Sequence, residues 1–256
     1  MLARSASSTS DRLSELRRDA GREALAGLLL LGLAAGVVVA LGPLAIGFVV
    51  KAVAVFVAAC AAVLWGLRRH APHTRFGAAN RVTLARLGLI ALLAGGIGEP
   101  LPDPVGMAWG TVVVATTAAL LDALDGPLAR AQGLASEFGA RFDMESDALL
   151  MLVLCLLVLH FDKAGAWVLA AGLARYFFVL AGRLVPWMRR ALPPADWRKA
   201  VCVVAITCLI VCLGPIISRP WSFGLAAASL LLLLCSFAAD VLWLVRRRKM
   251  PMETAS

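Results

Sequence analysis

The sequence predicts an all-α fold, a polytopic membrane helical bundle of about eight transmembrane helices. Two observations lead to this fold class. First, 61% of the residues are hydrophobic, 16% are charged and the mean hydropathy is +0.85, which is more apolar surface than a water-soluble domain buries. Second, the apolar residues form eight runs, most of them near the ~20 residues that cross a bilayer. The runs lie at roughly 24–41, 44–67, 82–98, 105–130, 139–161, 164–187, 200–217 and 221–245, joined by short turns with Gly or Pro.

The first two runs are predicted to form an extension of the bundle. Residues 1–23 are polar, carry both charge signs and lack the apolar h-region of a secretory signal, so we expect a retained cytoplasmic segment. This segment is expected to form a short interfacial helix with a frayed start. The two runs within residues 24–74 lack the pattern of ionisable residues seen later. Residues 75–249 are therefore predicted to form a six-helix core, and residues 250–256 a tail.

The basic residues indicate how the bundle is oriented. The net charge is +9, and segments predicted to face one side hold 21 of the 25 Lys and Arg residues. Such an excess marks the cytoplasmic loops of a membrane protein. We therefore expect both termini at the cytoplasmic face of the cell (inner) membrane. We expect no nucleic-acid partner, because the basic residues lie beside the membrane spans and not on a water-soluble face. The segments are 1–23, 68–86, 130–141, 183–199 and 246–249.

The fifth run must extend beyond its apolar residues. Its purely apolar part, from Ala148 to Phe161, has only 14 residues, which is too short to cross a bilayer. The helix must therefore begin near Gly139. That start puts Asp143 and Asp147 inside the cytoplasmic end of the helix.

Two more aspartates lie at the end of the fourth run. The fourth helix is expected to continue through Asp122 and Asp125, and Ser136 is the expected N-cap of the fifth. Asp122 and Asp125 are three residues apart, and Asp143 and Asp147 are four apart, so each pair shares a helix face. A short turn makes the two helices antiparallel neighbours. All four carboxylates can then face one cleft.

A cluster of four carboxylates at a membrane surface indicates bound cations. Carboxylates this close repel one another and cannot all be ionised without partners. Their hard oxygen atoms select Mg²⁺, Mn²⁺ or Ca²⁺. Two such ions, ~3.5–4 Å apart, can polarise a phosphoryl group and screen its charge from a nucleophile. The stretch therefore predicts a two-metal site for phosphoryl transfer.

The aspartate stretch resembles the signature of a known enzyme family. The spacing Asp122-x₂-Asp125-Gly126-x₂-Ala129-Arg130-x₈-Gly139-x₃-Asp143-x₃-Asp147 resembles, without departure, the motif of the CDP-alcohol phosphatidyltransferases. The resemblance implies that two divalent cations, Mg²⁺ or Mn²⁺, are held by Asp122, Asp125, Asp143 and Asp147. It implies that Asp147 is also the general base on the acceptor hydroxyl. It further implies that the donor nucleotide is bordered by Gly126, Ala129 and Gly139, and that its phosphates are met by Arg130.

A second motif lies upstream. Asn80, Thr83 and Arg86 are spaced as Asn-x₂-Thr-x₂-Arg, which is similar to the start of the first core helix in the same family. The resemblance implies that these three residues, the donor motif, bind the donor nucleotide. The alternative is that they are an ordinary helix cap with a flanking charge.

Basic residues later in the chain are candidates for binding the acceptor. Arg175 lies within an apolar run, where an ionisable side chain is a functional candidate by default. Arg183, Arg198 and Lys199 lie on the predicted cytoplasmic side, and such a cluster suits an acceptor that carries a phosphate, such as glycerol 3-phosphate. The alternative for the loop residues is the ordinary positive charge of cytoplasmic loops.

With these features, the resemblance implies a phospholipid-synthesising enzyme, a transferase of substituted phosphate groups. It would move a phosphatidyl group from CDP-diacylglycerol, or another CDP-linked lipid, to a small or phosphorylated alcohol and release CMP. The resemblance also implies a homodimer. Two alternatives stay open. An aspartate-rich membrane prenyltransferase would place its two aspartate motifs far apart, and a non-enzymatic cation or proton transporter would place its ionisable groups near the bilayer midplane.

Overall fold

Helices account for the regular secondary structure of the described residues. A computed structural model describes the backbone of residues 2–42, 44–67, 76–132, 136–189 and 196–247, without the side chains of residues 2–13, 123–132, 137, 186, 189 and 196. This part of the chain forms eight α-helices and no strand, which confirms the all-α fold class. The helices are α1 (Leu2–Leu41), α2 (Ile46–Gly66), α3 (Ala78–Gly95), α4 (Pro104–Gln132), α5 (Glu137–His160), α6 (Leu169–Leu184), α7 (Asp196–Leu213) and α8 (Trp221–Arg247).

Six stretches of the described helices are long and apolar enough to cross a membrane, as expected for a polytopic membrane protein. Large apolar side chains cover the outside of these helices, and Leu30 and Trp65, for example, are 68% and 86% exposed. Acyl chains stabilise such a surface, whereas water does not. The six stretches are Ser14–Leu41, Ile46–Gly66, Ala78–Gly95, Pro104–Asp122, Ala166–Leu184 and Trp221–Arg247.

The chain divides into two compact units, of which the first is Met1–Val153. In this unit α1, α2 and α3 pack against one another, and α4 packs against α3. Lys51 of α2 pairs with Glu99 after α3, with Nζ and Oε1 2.6 Å apart, and donates a hydrogen bond to the carbonyl of Ile97 at 2.7 Å. Buried apolar side chains form the core, among them Phe56, Leu67, Phe76, Phe138 and Phe142.

Helix α1 differs from the expected short helix followed by a separate span. It is continuous from Leu2 to Leu41, because no Pro interrupts the first 42 residues. Leu16 and Ala20 lie one turn apart on one face and are 1% and 2% exposed. The polar segment therefore has an apolar stripe of its own, which packs into the core of the first unit and extends the helix.

The second unit is Leu154–Ser256, in which α8 packs against α6 and α7. Lys163 links the turn before α6 to the turn between α7 and α8. Its Nζ donates hydrogen bonds to the carbonyl oxygens of Gly214 at 2.9 Å and Ile217 at 2.8 Å. The sixth helix is shorter than its apolar run, since it ends at Leu184. Pro186 explains this end, because a proline disfavours helical backbone in the residue before it.

Candidate metal centre

Three aspartates of the first unit converge between two helices. Asp122 lies in the second half of α4, and Asp143 and Asp147 lie one turn apart in the first half of α5. One carboxylate oxygen from each residue lies within 4.8 Å of the other two. Asp122 is buried and the other two are partly buried. Hard oxygen ligands at this spacing fit a divalent cation.

The start of α5 gives its two aspartates their position. Ser136 Oγ accepts a hydrogen bond from the backbone N–H of Gly139 at 3.1 Å, which confirms Ser136 as the N-cap. Because α5 begins at Glu137, Asp143 and Asp147 lie inside the helix. Their spacing of one turn then directs both side chains to one face.

Arg86 lies at the centre of the three aspartates. Its Nη1 is 2.8 Å from Oδ1 of Asp122 and 2.8 Å from Oδ1 of Asp143, and its Nη2 is 2.6 Å from Oδ1 of Asp147. Its Nε donates a hydrogen bond to the carbonyl of Ala118 at 3.1 Å. The planar guanidinium thus bridges α4 and α5 through three nitrogen atoms held in one plane, a wider reach than the single nitrogen of a lysine has.

The charges of the centre do not balance. Three carboxylates surround one guanidinium that is 0% exposed. Water screens such buried charges poorly, so the excess negative charge attracts further cations. Each carboxylate also has a second oxygen atom besides the one that meets Arg86. The centre therefore has both the charge and the ligand atoms for a bound metal ion.

Asn80 and Thr83 lie on the same helix as Arg86, and all three are buried. Asn80 Nδ2 donates a hydrogen bond to the carbonyl of Phe76, and Thr83 Oγ1 donates one to the carbonyl of Ala79. A Cβ atom built on Gly139 would lie 3.1 Å from Oδ1 of Asn80, which is a tight contact. The absence of a side chain at residue 139 therefore allows α5 to approach the Asn80 amide.

Four other predicted site residues lie in the second half of α4. The helix continues to Gln132, so the backbone of all four is helical, as the sequence predicts. Their side chains lie outside the described residues. Their contacts with metal or nucleotide stay predictions. The four residues are Asp125, Gly126, Ala129 and Arg130.

The residues predicted to bind the acceptor belong to the second unit. Arg175 is partly buried in α6, Arg183 is exposed in the last turn of that helix, and Lys199 is exposed in α7. Arg198 pairs with Asp240 of α8, with Nε and Oδ1 3.0 Å apart. Part of its charge is therefore neutralised within the protein.

The contact between Arg86 and the aspartates was not predicted from the sequence. Arg86 was expected to be one of the basic residues that orient the bundle and a member of the donor motif. A signal for the pairing was present, because an arginine within an apolar helix usually pairs with an acidic group. The predicted orientation narrowed the choice, because Arg86 and the aspartate stretch were both placed at the cytoplasmic side.

Comparison with known proteins agrees with the two motifs. A model of the family described as CDP-alcohol phosphatidyltransferase matches residues 76–239, which is more than half of the chain. The matched span includes Asn80, Thr83, Arg86 and the aspartate stretch, and it begins after α1 and α2. Comparisons with curated proteins and with solved structures gave no significant match.

Proposed function

This chain belongs to the CDP-alcohol phosphatidyltransferase family, and from that premise we propose the reaction and its residues. The proposed reaction moves a phosphatidyl group from CDP-diacylglycerol, or another CDP-linked lipid, to a hydroxyl acceptor and releases CMP. The observation that carries the proposal is the set of three carboxylates with oxygen atoms within 4.8 Å of one another. Two apolar helices carry these carboxylates, so the acyl chains of the donor can stay in the bilayer while its headgroup reaches them.

We propose that Asp122, Asp143 and Asp147 hold Mg²⁺ or Mn²⁺, and that Asp125 completes a site for two ions by its place in the motif. Carboxylate oxygens are the ligands that both ions prefer. When bound, these cations polarise the phosphoryl group of the donor and reduce its negative charge. The excess of carboxylate over guanidinium charge supports this proposal.

Asp147 is the proposed general base. It takes the proton of the acceptor hydroxyl, whose oxygen bonds to the phosphorus that bears the diacylglycerol. The bond from that phosphorus to the bridging oxygen breaks, and CMP leaves with the electron pair. Arg86 already binds Oδ1 of Asp147 at 2.6 Å, which fixes the orientation of the carboxylate.

Asn80, Thr83 and Gly139 are proposed to border the donor nucleotide, together with Gly126, Ala129 and Arg130 from the motif. The close approach of residue 139 to Asn80 supports their grouping. We propose that Arg86, the third residue of the donor motif, also belongs to the donor site. Its contacts with three carboxylates support a second role, the positioning of those carboxylates.

For the acceptor, a phosphorylated alcohol such as glycerol 3-phosphate fits the basic side chains of the second unit. Arg175, Arg183 and Lys199 supply positive charge, and guanidinium groups bind phosphate through paired hydrogen bonds. Arg198 is already paired with Asp240, so we expect a smaller contribution from it. The homodimer and the cytoplasmic orientation are proposed from the family and from the charge distribution.

The test is release of CMP by the purified protein in lipid nanodiscs. The assay supplies CDP-diacylglycerol and a panel of acceptors: glycerol 3-phosphate, inositol phosphate, serine, choline and phosphatidylglycerol. We expect CMP with at least one acceptor, and loss of about 100-fold or more in Asp122→Asn and Asp147→Asn. Asp162→Asn is the matched control, because Asp162 is exposed and pairs only with Arg219 among the contacts described for it.

Two results would overturn the proposed function. Turnover of a prenyl diphosphate without CMP release would indicate the prenyltransferase. Cation or proton flux through protein-containing vesicles, again without CMP release, would indicate the transporter.

A further inference from the structure

Residues 14–23 of α1 pack against the part of the protein that carries the donor motif, although they lie outside the span that matches the family. Leu16 and Ala20 are almost completely buried and belong to the same apolar cluster as Phe76, Phe138 and Phe142. A segment that served only to lie on the membrane surface would not need these contacts.

Asp19 binds the chain just before α3. Its Oδ2 accepts a hydrogen bond from the backbone N–H of Phe76 at 2.9 Å, two residues before the helix starts at Ala78. Phe76 precedes the N-cap residue, so its N–H has no acceptor within the helix, and a carboxylate near a helix start is also favoured by the helix dipole. Gly77, the N-cap residue, forms no side-chain cap, and Asp19 of another helix instead holds the residue before it.

A second contact follows one turn later on both helices. Glu23, four residues after Asp19, pairs with Arg81, and Oε1 and Nη2 are 2.7 Å apart. This pair is partly exposed, so its own contribution to stability is small. The pair instead gives α1 a second point of contact with the start of α3, which restricts how the two helices can move relative to each other.

Phe76 links these contacts to the donor motif. Its carbonyl accepts a hydrogen bond from Asn80 Nδ2. The other amide atom, Asn80 Oδ1, would lie 3.1 Å from a Cβ atom built on Gly139. Its ring centroid lies 6.4 Å from those of Phe138 and of Phe142 at the start of α5. A shift of Phe76 would therefore move the Asn80 amide and the helix start that faces it.

We propose that residues 14–23 of α1 are a positioning element for the donor site, with Asp19 fixing Phe76 and thereby the orientation of Asn80 beside Gly139. The inference rests on the proposed function, because it takes Asn80 and Gly139 to border the donor nucleotide. Asp19 is a positioning residue, since its described contact is with the backbone of Phe76.

The experiment uses the full chain in nanodiscs and compares Asp19→Ala, Asp19→Asn and Glu15→Ala. Steady-state CMP release gives KM for CDP-diacylglycerol and kcat, and electron paramagnetic resonance gives Mn²⁺ binding. In Asp19→Ala we expect KM to rise about tenfold, because loss of the acceptor for the Phe76 N–H lowers the fraction of molecules with an ordered donor motif. Mn²⁺ binding and kcat stay within about twofold of wild type, because the aspartates are untouched.

Asp19→Asn keeps a side-chain oxygen that can accept the Phe76 N–H, so its KM is expected near that of wild type. Glu15 is an exposed acidic residue one turn earlier on the same helix, and its replacement by Ala controls for the lost charge. An unchanged KM in Asp19→Ala, an equal rise in Glu15→Ala, or a fall in kcat and Mn²⁺ affinity without a change in KM would overturn the inference alone. Absence of CMP release from the wild-type protein would overturn the proposed function and this inference together.

Discussion

Nη2 of Arg86 lies 2.6 Å from Oδ1 of Asp147, and this ion pair joins the donor motif of α3 to the aspartates of α5. The same guanidinium also meets Asp122 of α4 and Asp143 of α5. One buried cation thus holds together three carboxylates that would otherwise repel one another. A cluster with a fixed counter-charge keeps its ligand spacing, which is what a metal centre for phosphoryl transfer requires.

Replacing Arg86 by Gln is expected to tighten Mn²⁺ binding while lowering activity. The change removes a positive charge that lies 2.6–2.8 Å from three carboxylate oxygens, so an incoming cation meets less repulsion. The carboxylates also lose their common donor, and CMP release falls about 10–100-fold. Electron paramagnetic resonance of Mn²⁺ and the CMP assay measure the two effects.

Arg86→Lys is the matched control for charge. Lysine keeps the positive charge but lacks the planar fork that reaches three carboxylates. Its Mn²⁺ affinity is therefore expected near wild type, while its activity stays low. Mn²⁺ binding that is weaker in Arg86→Gln than in wild type would contradict this account.

Removal of divalent ions is expected to stop CMP release reversibly. A chelator removes the cations that offset the excess carboxylate charge, and added Mg²⁺ or Mn²⁺ restores activity. The same ions raise the melting temperature, because they bind the folded protein and not the unfolded chain. In Asp122→Asn, which removes one of the three grouped carboxylates, the rise in melting temperature with Mn²⁺ should shrink. If Mn²⁺ raised the melting temperature of wild type and of Asp122→Asn equally, the stabilising ion would be bound at another site.

A methyl group at residue 139 is expected to weaken donor binding. In Gly139→Ala the Cβ would lie 3.1 Å from Oδ1 of Asn80, so the amide must shift by a few tenths of an ångström. We expect KM for CDP-diacylglycerol to rise about 3–10-fold, with stability changed by about 1 kcal/mol or less. Steady-state kinetics and thermal unfolding measure the two quantities.

Gly110→Ala is the control for that substitution. Gly110 lies in α4 and has no atom within 4 Å of a built Cβ, so alanine there should be neutral or slightly stabilising. If the two variants have the same KM, the contact between residue 139 and Asn80 does not govern donor binding.

Local sequence patterns predicted the helices that carry the candidate site. They did not predict the contacts between residues far apart in sequence. Helical spacing predicted that Asp143 and Asp147 share a face, and the short apolar run predicted a helix start near Ser136. Nothing local to Asp19 indicated that it binds the backbone of Phe76, 57 residues away. The same limit hid the pairing of Arg86 with Asp147, which are 61 residues apart.

Helix α1 shows why composition also misleads. Polar residues dominate its first half, which favoured a separate interfacial segment. Among the described side chains of this half, the buried apolar ones are Leu16 and Ala20. Two residues carry too weak a periodic signal to predict a buried face, although that is enough to continue a helix that no proline interrupts.

Removing Lys51 alone from its ion pair with Glu99 is expected to destabilise the protein more than removing both charges. The Glu99 side chain is 7% exposed, whereas that of Lys51 is 38% exposed. Lys51→Met would leave a buried carboxylate without its counter-charge, which destabilises more than loss of a surface pair does. Adding Glu99→Gln should recover part of that loss, because a neutral amide is easier to bury than a lone carboxylate. Thermal unfolding in nanodiscs compares the stability of Lys51→Met with that of the double variant. A double variant less stable than Lys51→Met alone would refute this prediction. Mn²⁺ binding is the internal control, since neither residue belongs to the aspartate group.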